Sequence, residues 1–187
     1  MGKRLGALAL ALAAVAVGCG GGGGAPPPAT PEAPPSLAVR SAAFTDRGAI
    51  PVRHTCDGEN VSPPLSWLGA PKGTVSYALI VDDPDAPRGT FVHWLLYDLP
   101  ASVESLPEAV PTLERLENGA LQGRNDAGRL GYSGPCPPRG PPHRYRFTVY
   151  ALDTLLGLAP GASREELERA MSGHVLAWGQ LVGTYGR

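Results

Sequence analysis

Phe91-Val92-His93-Trp94-Leu95-Leu96-Tyr97-Asp98-Leu99, with Gly89 before it and Pro100 after it, is the stretch that decides the fold. It is rich in β-branched, aromatic and aliphatic residues between breakers, which is how a strand reads in sequence. Side chains alternate along a strand, so Phe91, His93, Leu95, Tyr97 and Leu99 are predicted to share one face and Val92, Trp94, Leu96 and Asp98 the other. Both faces are mostly apolar, which makes the strand central rather than peripheral. Val75 to Val81 upstream and Arg144 to Leu152 downstream read the same way. In the downstream strand Tyr145, Phe147, Val149 and Ala151 point one way, and His143 joins them if the strand extends back to it.

One helix is evident near the C-terminus. Ser163 can cap the backbone while Glu166, three residues on, reaches back to complete a capping box. Leu167, Ala170 and Met171 supply the apolar stripe, and Gly173 suits the left-handed residue that ends a helix. Val175, Ala177, Leu181 and Tyr185 then follow a period of two, so the chain finishes as helix and strand. Glycine and proline recur between short apolar runs. The expected class is mainly β, a largely antiparallel sheet in meander-like succession rather than alternating βα units.

The first nineteen residues carry an export signature. Lys3 and Arg4 form a basic n-region, and Leu5 to Val17 an apolar stretch too short to span a bilayer as a stable helix. Ala16-Val17-Gly18 before Cys19 resembles a bacterial lipobox, with Ala16 in place of the more usual leucine. Residues 1–18 are therefore read as a lipoprotein-type signal peptide and Cys19 as the acylated, palmitate-bearing residue. Gly20 to Gly24 and Ala25 to Pro35 cannot bury apolar surface, so residues 19–36 are read as a tether. That places a lipid-anchored protein on the outer face of a bacterial membrane, inner or outer undecided. Residues 37–187, about 150 in number, are the usual size of one domain. Sixteen basic against seventeen acidic residues leave a net charge of −1, which gives no reason to expect nucleic acid or a polybasic membrane contact.

Two segments bring acids, histidines and a stiff glycine/proline loop to strand ends. They are Asp83-Pro84-Asp85-Ala86-Pro87 with His93-Trp94, and Gly131-Tyr132-Ser133-Gly134-Pro135-Cys136-Pro137-Pro138 with His143-Arg144-Tyr145. That is how a small polar pocket is built on a β scaffold, and it suggests anion binding rather than bond breaking. With His54-Thr55-Cys56-Asp57-Gly58-Glu59-Asn60-Val61-Ser62-Pro63-Pro64-Leu65-Ser66-Trp67 before them and Leu181-Val182-Gly183-Thr184-Tyr185 after them, these motifs resemble the phosphatidylethanolamine-binding protein family, in its bacterial Raf-kinase-inhibitor-like (YbhB/YbcL) branch. The resemblance implies a β-sandwich-like fold with a large antiparallel sheet and an anion pocket.

Carried over by that resemblance, Asp83, His93 and His143 are the acid and two histidines of the pocket, Tyr145 an aromatic at its rim, and Gly134, Pro135 and Cys136 part of the wall that runs to Pro138. A neutral imidazole supplies one N–H to a phosphate and a protonated one two. Asp83 is expected to accept from His93 or from loop amides and so to orient the donors. Gly134 is expected to let backbone N–H groups approach the ligand, and Asp85 to stabilise a turn. Trp67 and Trp94 are read as packing, and His54 and His174 as structural. Export permits a disulfide between Cys56 and Cys136 without requiring one. The spacing of His54, Cys56, Cys136 and His143 matches no zinc pattern, so no metal is expected.

Enzymatic motifs are missing: there is no Gly-x-Ser-x-Gly elbow, Walker loop, Rossmann fingerprint or His-Glu-x-x-His helix. The expectation is a binding module without a cofactor, its pocket taking a phosphate-bearing small molecule or phospholipid head group. The alternative is a protein-interaction module that inhibits a protease or kinase. Phosphate binding is expected to tighten as pH falls toward and below about 6.5, where histidine gains charge.

Overall fold

In a computed structural model that describes residues 1–2 and 36–187, the chain runs β1 (Ala38–Arg40), a 3₁₀ turn (Val52–His54), β2 (Leu65–Leu68), β3 (Ser76–Asp83), β4 (Phe91–Pro100), β5 (Ser105–Leu106), β6 (Leu121–Gln122), β7 (His143–Leu152), α1 (Arg164–Met171) and β8 (Val175–Tyr185). The readings that fall on the leader, on Cys19 and on the tether up to residue 35 lie outside the described residues. Ser36 donates its N–H to the Trp178 carbonyl of β8 at 3.0 Å. Among the described residues no helix is long and apolar enough to cross a membrane.

Two antiparallel sheets form the scaffold. The larger has the order β6-β4-β3-β7-β8, and the smaller the order β1-β2-β5. Val39, Leu65, Trp67 and Leu106 of the small sheet pack against Leu79, Val81, Trp94, Phe147 and Val149 on one face of the large one. On the opposite face Leu167 and Met171 of α1 meet Ala78, Ile80, Leu95 and Tyr97. The three predicted long strands and the final one are all present, and β3, buried along its whole length, runs on through Asp82 and Asp83.

The alternation predicted for β4 is broken twice. Val81 pairs with Trp94 while Asp82 pairs with Val92, which leaves His93 as an extra residue in a bulge. A second register shift lies at Tyr97-Asp98, where Asp98 has φ 54° and its carboxylate accepts from the N–H of Leu156 at 2.7 Å. As a result Val92 joins Leu95 and Tyr97 on the helix side, and Leu99 joins Trp94 and Leu96 on the small-sheet side. The expected single face from Phe91 to Leu99 does not exist, because each bulge inverts the side-chain phase.

The helix follows its sequence signal. Ser163 Oγ accepts from the Glu166 N–H, Glu166 Oε2 accepts from the Ser163 N–H at 2.8 Å, and Gly173 has φ 79°. Beside this apolar packing, α1 is tied to the sheet by an ion pair. Asp82 on β3 accepts from Arg146 Nε at 2.7 Å and Nη2 at 2.7 Å, and from Arg164 Nη1 of the helix at 2.8 Å. A carboxylate buried to this degree is tolerable only with such partners.

Candidate functional site

Antiparallel pairing brings the last residue of β3, the first of β4 and the first of β7 to one end of the large sheet. Asp83 stands opposite Phe91, and His143 opens β7, which pairs with β3 on its other side. The loop 131–138 closes over this end and leaves a cavity of about 250 Å³. Asp83, His93, Gly134, Cys136 and His143 of the predicted set line it, together with Phe91, Pro137, Pro138 and others. The volume lies just under the roughly 300 Å³ at which drug-sized sites begin.

The bulge in β4 turns His93 toward this cavity, on the same side as Tyr145. The His93 ring is 5.3 Å from that of Tyr145, edge-on, and 4.9 Å from that of Phe91. Its Nδ1 lies 2.6 Å from the Ser133 carbonyl oxygen. A carbonyl can only accept, so Nδ1 carries a proton and the neutral ring leaves a lone pair, not a donor, at Nε2. Burial pushes the His93 imidazole below its usual pKa, against the opposing pull of the Ser133 carbonyl and of Asp83, Asp82 and Asp126. The expectation of an N–H offered to the ligand by the neutral ring is thereby corrected, since that N–H is spent on the wall of the pocket.

Of the two partners expected for Asp83, the structure shows a loop amide and not His93. Asp83 Oδ2 accepts from His143 Nδ1 at 2.7 Å and its Oδ1 from the Asp85 N–H at 2.8 Å. Asp83 thus makes the turn bond that had been assigned to Asp85. Asp85 instead receives Arg144 three times, from the backbone N–H and Nε at 2.9 Å each and from Nη2 at 2.6 Å. The Arg144 guanidinium holds the Asp85 carboxyl down at about 2. The result is an ordered chain of acids and bases in which each histidine has its Nδ1 fixed by the protein.

Tyr145 is a correction of another kind. At 1 % exposure it lies beneath the pocket instead of at the rim, and its hydroxyl is buried without a hydrogen-bond partner among the described residues. Burial, with Asp83, Asp85 and Tyr185, pushes that phenol well above its usual pKa. Its ring backs His93.

The wall is built by the segment 54–60. The Tyr132 hydroxyl donates to the His54 carbonyl at 2.8 Å, the Gly134 N–H to Asn60 Oδ1 at 2.7 Å, and the Cys56 N–H to the Pro135 carbonyl at 3.0 Å. Cys56 and Cys136 form a disulfide. Pro135 therefore faces that segment and not the cavity. Gly134 is glycine for a reason other than ligand approach, because a Cβ there would sit 2.4 Å from the His54 carbonyl oxygen and 2.9 Å from Thr55 Cα. Proline removes the N–H at 135, 137 and 138, so Cys136 keeps the one backbone donor of that stretch. His54 is buried with Nδ1 3.0 Å from the Val61 carbonyl, and His174 pairs with Asp153 at 2.8 Å far along the chain. Among the described residues no group of three or more His, Cys, Asp or Glu is arranged to hold a metal.

The family model for phosphatidylethanolamine-binding proteins matches residues 40–186. The chain belongs to that family. A UPF0098 protein of Methanothermobacter thermautotrophicus is 55 % identical over 151 residues, covering 81 % of this chain and 99 % of the relative. Another from Aquifex aeolicus is 48 % identical over 153 residues, covering 81 % and 89 %. Among solved structures, a phosphatidylethanolamine-binding protein homologue of Chlamydia trachomatis superposes with a TM-score of 0.74 at 39 % identity, covering 81 % of this chain and 98 % of that one. YbcL of E. coli gives 0.73 at 33 %, covering 81 % and 99 %. The mainly β fold with two antiparallel sheets and one helix near the C-terminus is the fold of these family members.

Sequence reasoning missed three contributors. Phe91 and Asn60 are adjacent to predicted positions and read as ordinary strand and loop residues; their roles depend on the bulge and on contact across 74 positions. Ser133 reads only as part of the loop motif, yet its carbonyl meets His93.

Proposed function

We propose that this is a lipid-anchored binding protein of the cell envelope whose pocket accepts a phosphate-bearing small molecule or phospholipid head group and breaks no bond in it. One observation carries the reading: His93, His143 and Asp83 converge on a small cavity with both Nδ1 atoms held by protein acceptors, so that each Nε2 is left for a guest. A site whose polar groups are fixed in advance loses little ordering on binding. Among the described residues the Ser133 group that meets an imidazole is its carbonyl, with no hydrogen bond from its hydroxyl to either histidine, which argues against a nucleophile activated by a base. Membership of a family named for binding phosphatidylethanolamine supports the ligand class. The anchor rests on Lys3, Arg4, the apolar run to Val17 and Cys19.

Relatives aligned over nearly all of their own length contain little beyond this domain, so residues 37–187 are a workable unit for the test. Isothermal titration with phosphoethanolamine, inorganic phosphate and ethanolamine is expected to give saturable binding of the two phosphates only. His93→Ala and His143→Ala should each remove it. Ethanolamine binding as tightly as phosphoethanolamine would sink the anion reading and turn attention to Asp83 as a cation site. Mass spectrometry of protein made in a lipoprotein-competent bacterial host tests the anchor, with Cys19→Ser as the control.

A further inference from the structure

We propose that the pocket selects an acid group that still carries a proton, binding a phosphomonoester in its singly charged form in preference to a phosphodiester. This rests on the anion-binding reading above and narrows its ligand.

The argument starts from the atom that faces the guest. At 2.6 Å from a carbonyl oxygen, His93 Nδ1 is the donor, so Nε2 of the neutral ring accepts. The groups around that ring are the Phe91 and Tyr145 rings, the Ser133 carbonyl, and three carboxylates: Asp82 and Asp83 from β3, and Asp126, whose Oδ2 accepts from the Val92 N–H. The carboxylates would favour an imidazolium, yet burial outweighs them and shifts the ring toward its neutral form. Among the described residues no lysine or arginine lines the cavity, and Arg144 beside His143 is engaged by Asp85. The fixed charge in the cavity is the Asp83 carboxylate.

A phosphodiester brings one negative charge and no O–H. Its oxygens would face a lone pair at His93 with no fixed cation to offset it. A phosphomonoester monoanion brings its own P–OH to donate to His93 Nε2, which leaves its other oxygens for the Cys136 N–H and, when protonated, His143 Nε2. A polar site that meets a hydroxyl with an acceptor discriminates strongly against the analogue that lacks it. The singly charged form is a minority above the second phosphate pKa of about 6, and there its share falls roughly tenfold per pH unit.

The test is calorimetric titration of the full-length protein, in two buffers of different ionisation heat, at pH values on both sides of about 6. The ligands are phosphoethanolamine, dioctanoyl phosphatidic acid and glycerophosphoethanolamine. The first two are monoesters, one soluble and one lipid, and the third is a diester. At least one monoester is expected to bind roughly tenfold or more tighter than the diester. Its affinity should fall roughly tenfold between pH 7 and 8 with uptake of about one proton, and the uptake should vanish near pH 5. Whichever monoester binds tighter identifies the source, and either result supports the selection. His93→Gln, whose amide offers an N–H, should narrow the preference. A diester that binds as tightly as the monoesters overturns the selection but leaves the anion pocket standing. One proton still taken up near pH 5 by the parent and lost in His93→Gln also overturns it, because the proton would then be going to the His93 ring. Failure of all three ligands to bind a folded protein overturns both.

Discussion

Gly134→Ala puts the assembly of the pocket wall to a direct test. The added methyl would lie 2.4 Å from the His54 carbonyl oxygen, 2.7 Å from Asn60 Oδ1 and 2.9 Å from Thr55 Cα, about 1 Å short of ordinary contact at its worst point. Two of those three atoms are backbone, and the segment that carries them is tied to the loop by the Tyr132 bond, the Cys56 N–H bond and the disulfide. Neither side can withdraw without breaking something. Overpacking by one methyl costs about 1–3 kcal/mol, and loss of the Gly134 N–H bond to Asn60 adds about 1 kcal/mol. The expected total is about 2–4 kcal/mol, which at 2–4 °C per kcal/mol for a domain of this size lowers the melting temperature by roughly 4–16 °C. Urea unfolding followed by tryptophan fluorescence measures the free energy. Asn60→Gly is the companion variant: Asn60 has φ 58°, which glycine adopts without strain, so this change removes the acceptor alone. Introduced together, the two changes should cost less than the sum, since Asn60 Oδ1 is one of the atoms the methyl strikes. A Gly134→Ala protein within about 0.5 kcal/mol of the parent would refute the reasoning, because such values belong to surface positions without contacts.

Three other perturbations have determined directions. Cys56→Ser with Cys136→Ser removes a cross-link between positions 80 apart, and chain entropy sets its upper contribution near 4.5 kcal/mol, so the urea midpoint should drop markedly and the parent should respond alike to reductant. Asp82→Asn leaves Arg146 and Arg164 without their carboxylate; because both guanidiniums are partly exposed and can rehydrate, the expected loss of about 2–3 kcal/mol lies at the low end for a buried ion pair, measured by the same unfolding curves. Asp85, held at about 2 by Arg144, contributes stability that is complete above its unfolded pKa near 4 and is lost as pH falls through about 2. Asp85→Asn should therefore flatten the acid limb of the stability profile between those values, and an unchanged limb would contradict the pairing.

The strands and the helix were legible because their signals are local. The apolar runs of β3, β4 and β7 and the Ser163 capping box each lie within about ten residues of themselves. The short strands of the small sheet were not, since two to four residues such as Leu65–Leu68 carry too little periodicity to be separated from loop. At the site Asp83, His93, Gly134, Cys136 and His143 line the cavity while Pro135 and Tyr145 do not, and the hydrogen-bond partners differ from those expected. Which acid meets which histidine depends on where β3 stops and on the extra residue in β4, and neither is written in composition. Asp83 orients His143 and also makes the turn bond expected of Asp85, for the same reason: Asx turns and Arg pairing compete for the same side chains, and Arg144 reaches Asp85 only once β7 lies beside β3. Tyr145 read as a rim residue because motif proximity to His143 says nothing about depth.

The bulge at His93 has a consequence for how this strand tolerates change in length. Replacing a residue in β4 alters one contact, whereas deleting Val92 would remove the register shift at this end of β4 and pair His93 with Asp82 while retaining nearly every side-chain type. The repaired ladder would be more regular and the protein would lose its pocket, because an imidazole that now leans on Tyr145 would be opposed to Asp82 in the layer beneath the helix. The binding site in this fold is thus counted as well as spelled: an apparent imperfection of one residue in ten is what assigns His93 to the side where a guest can reach it.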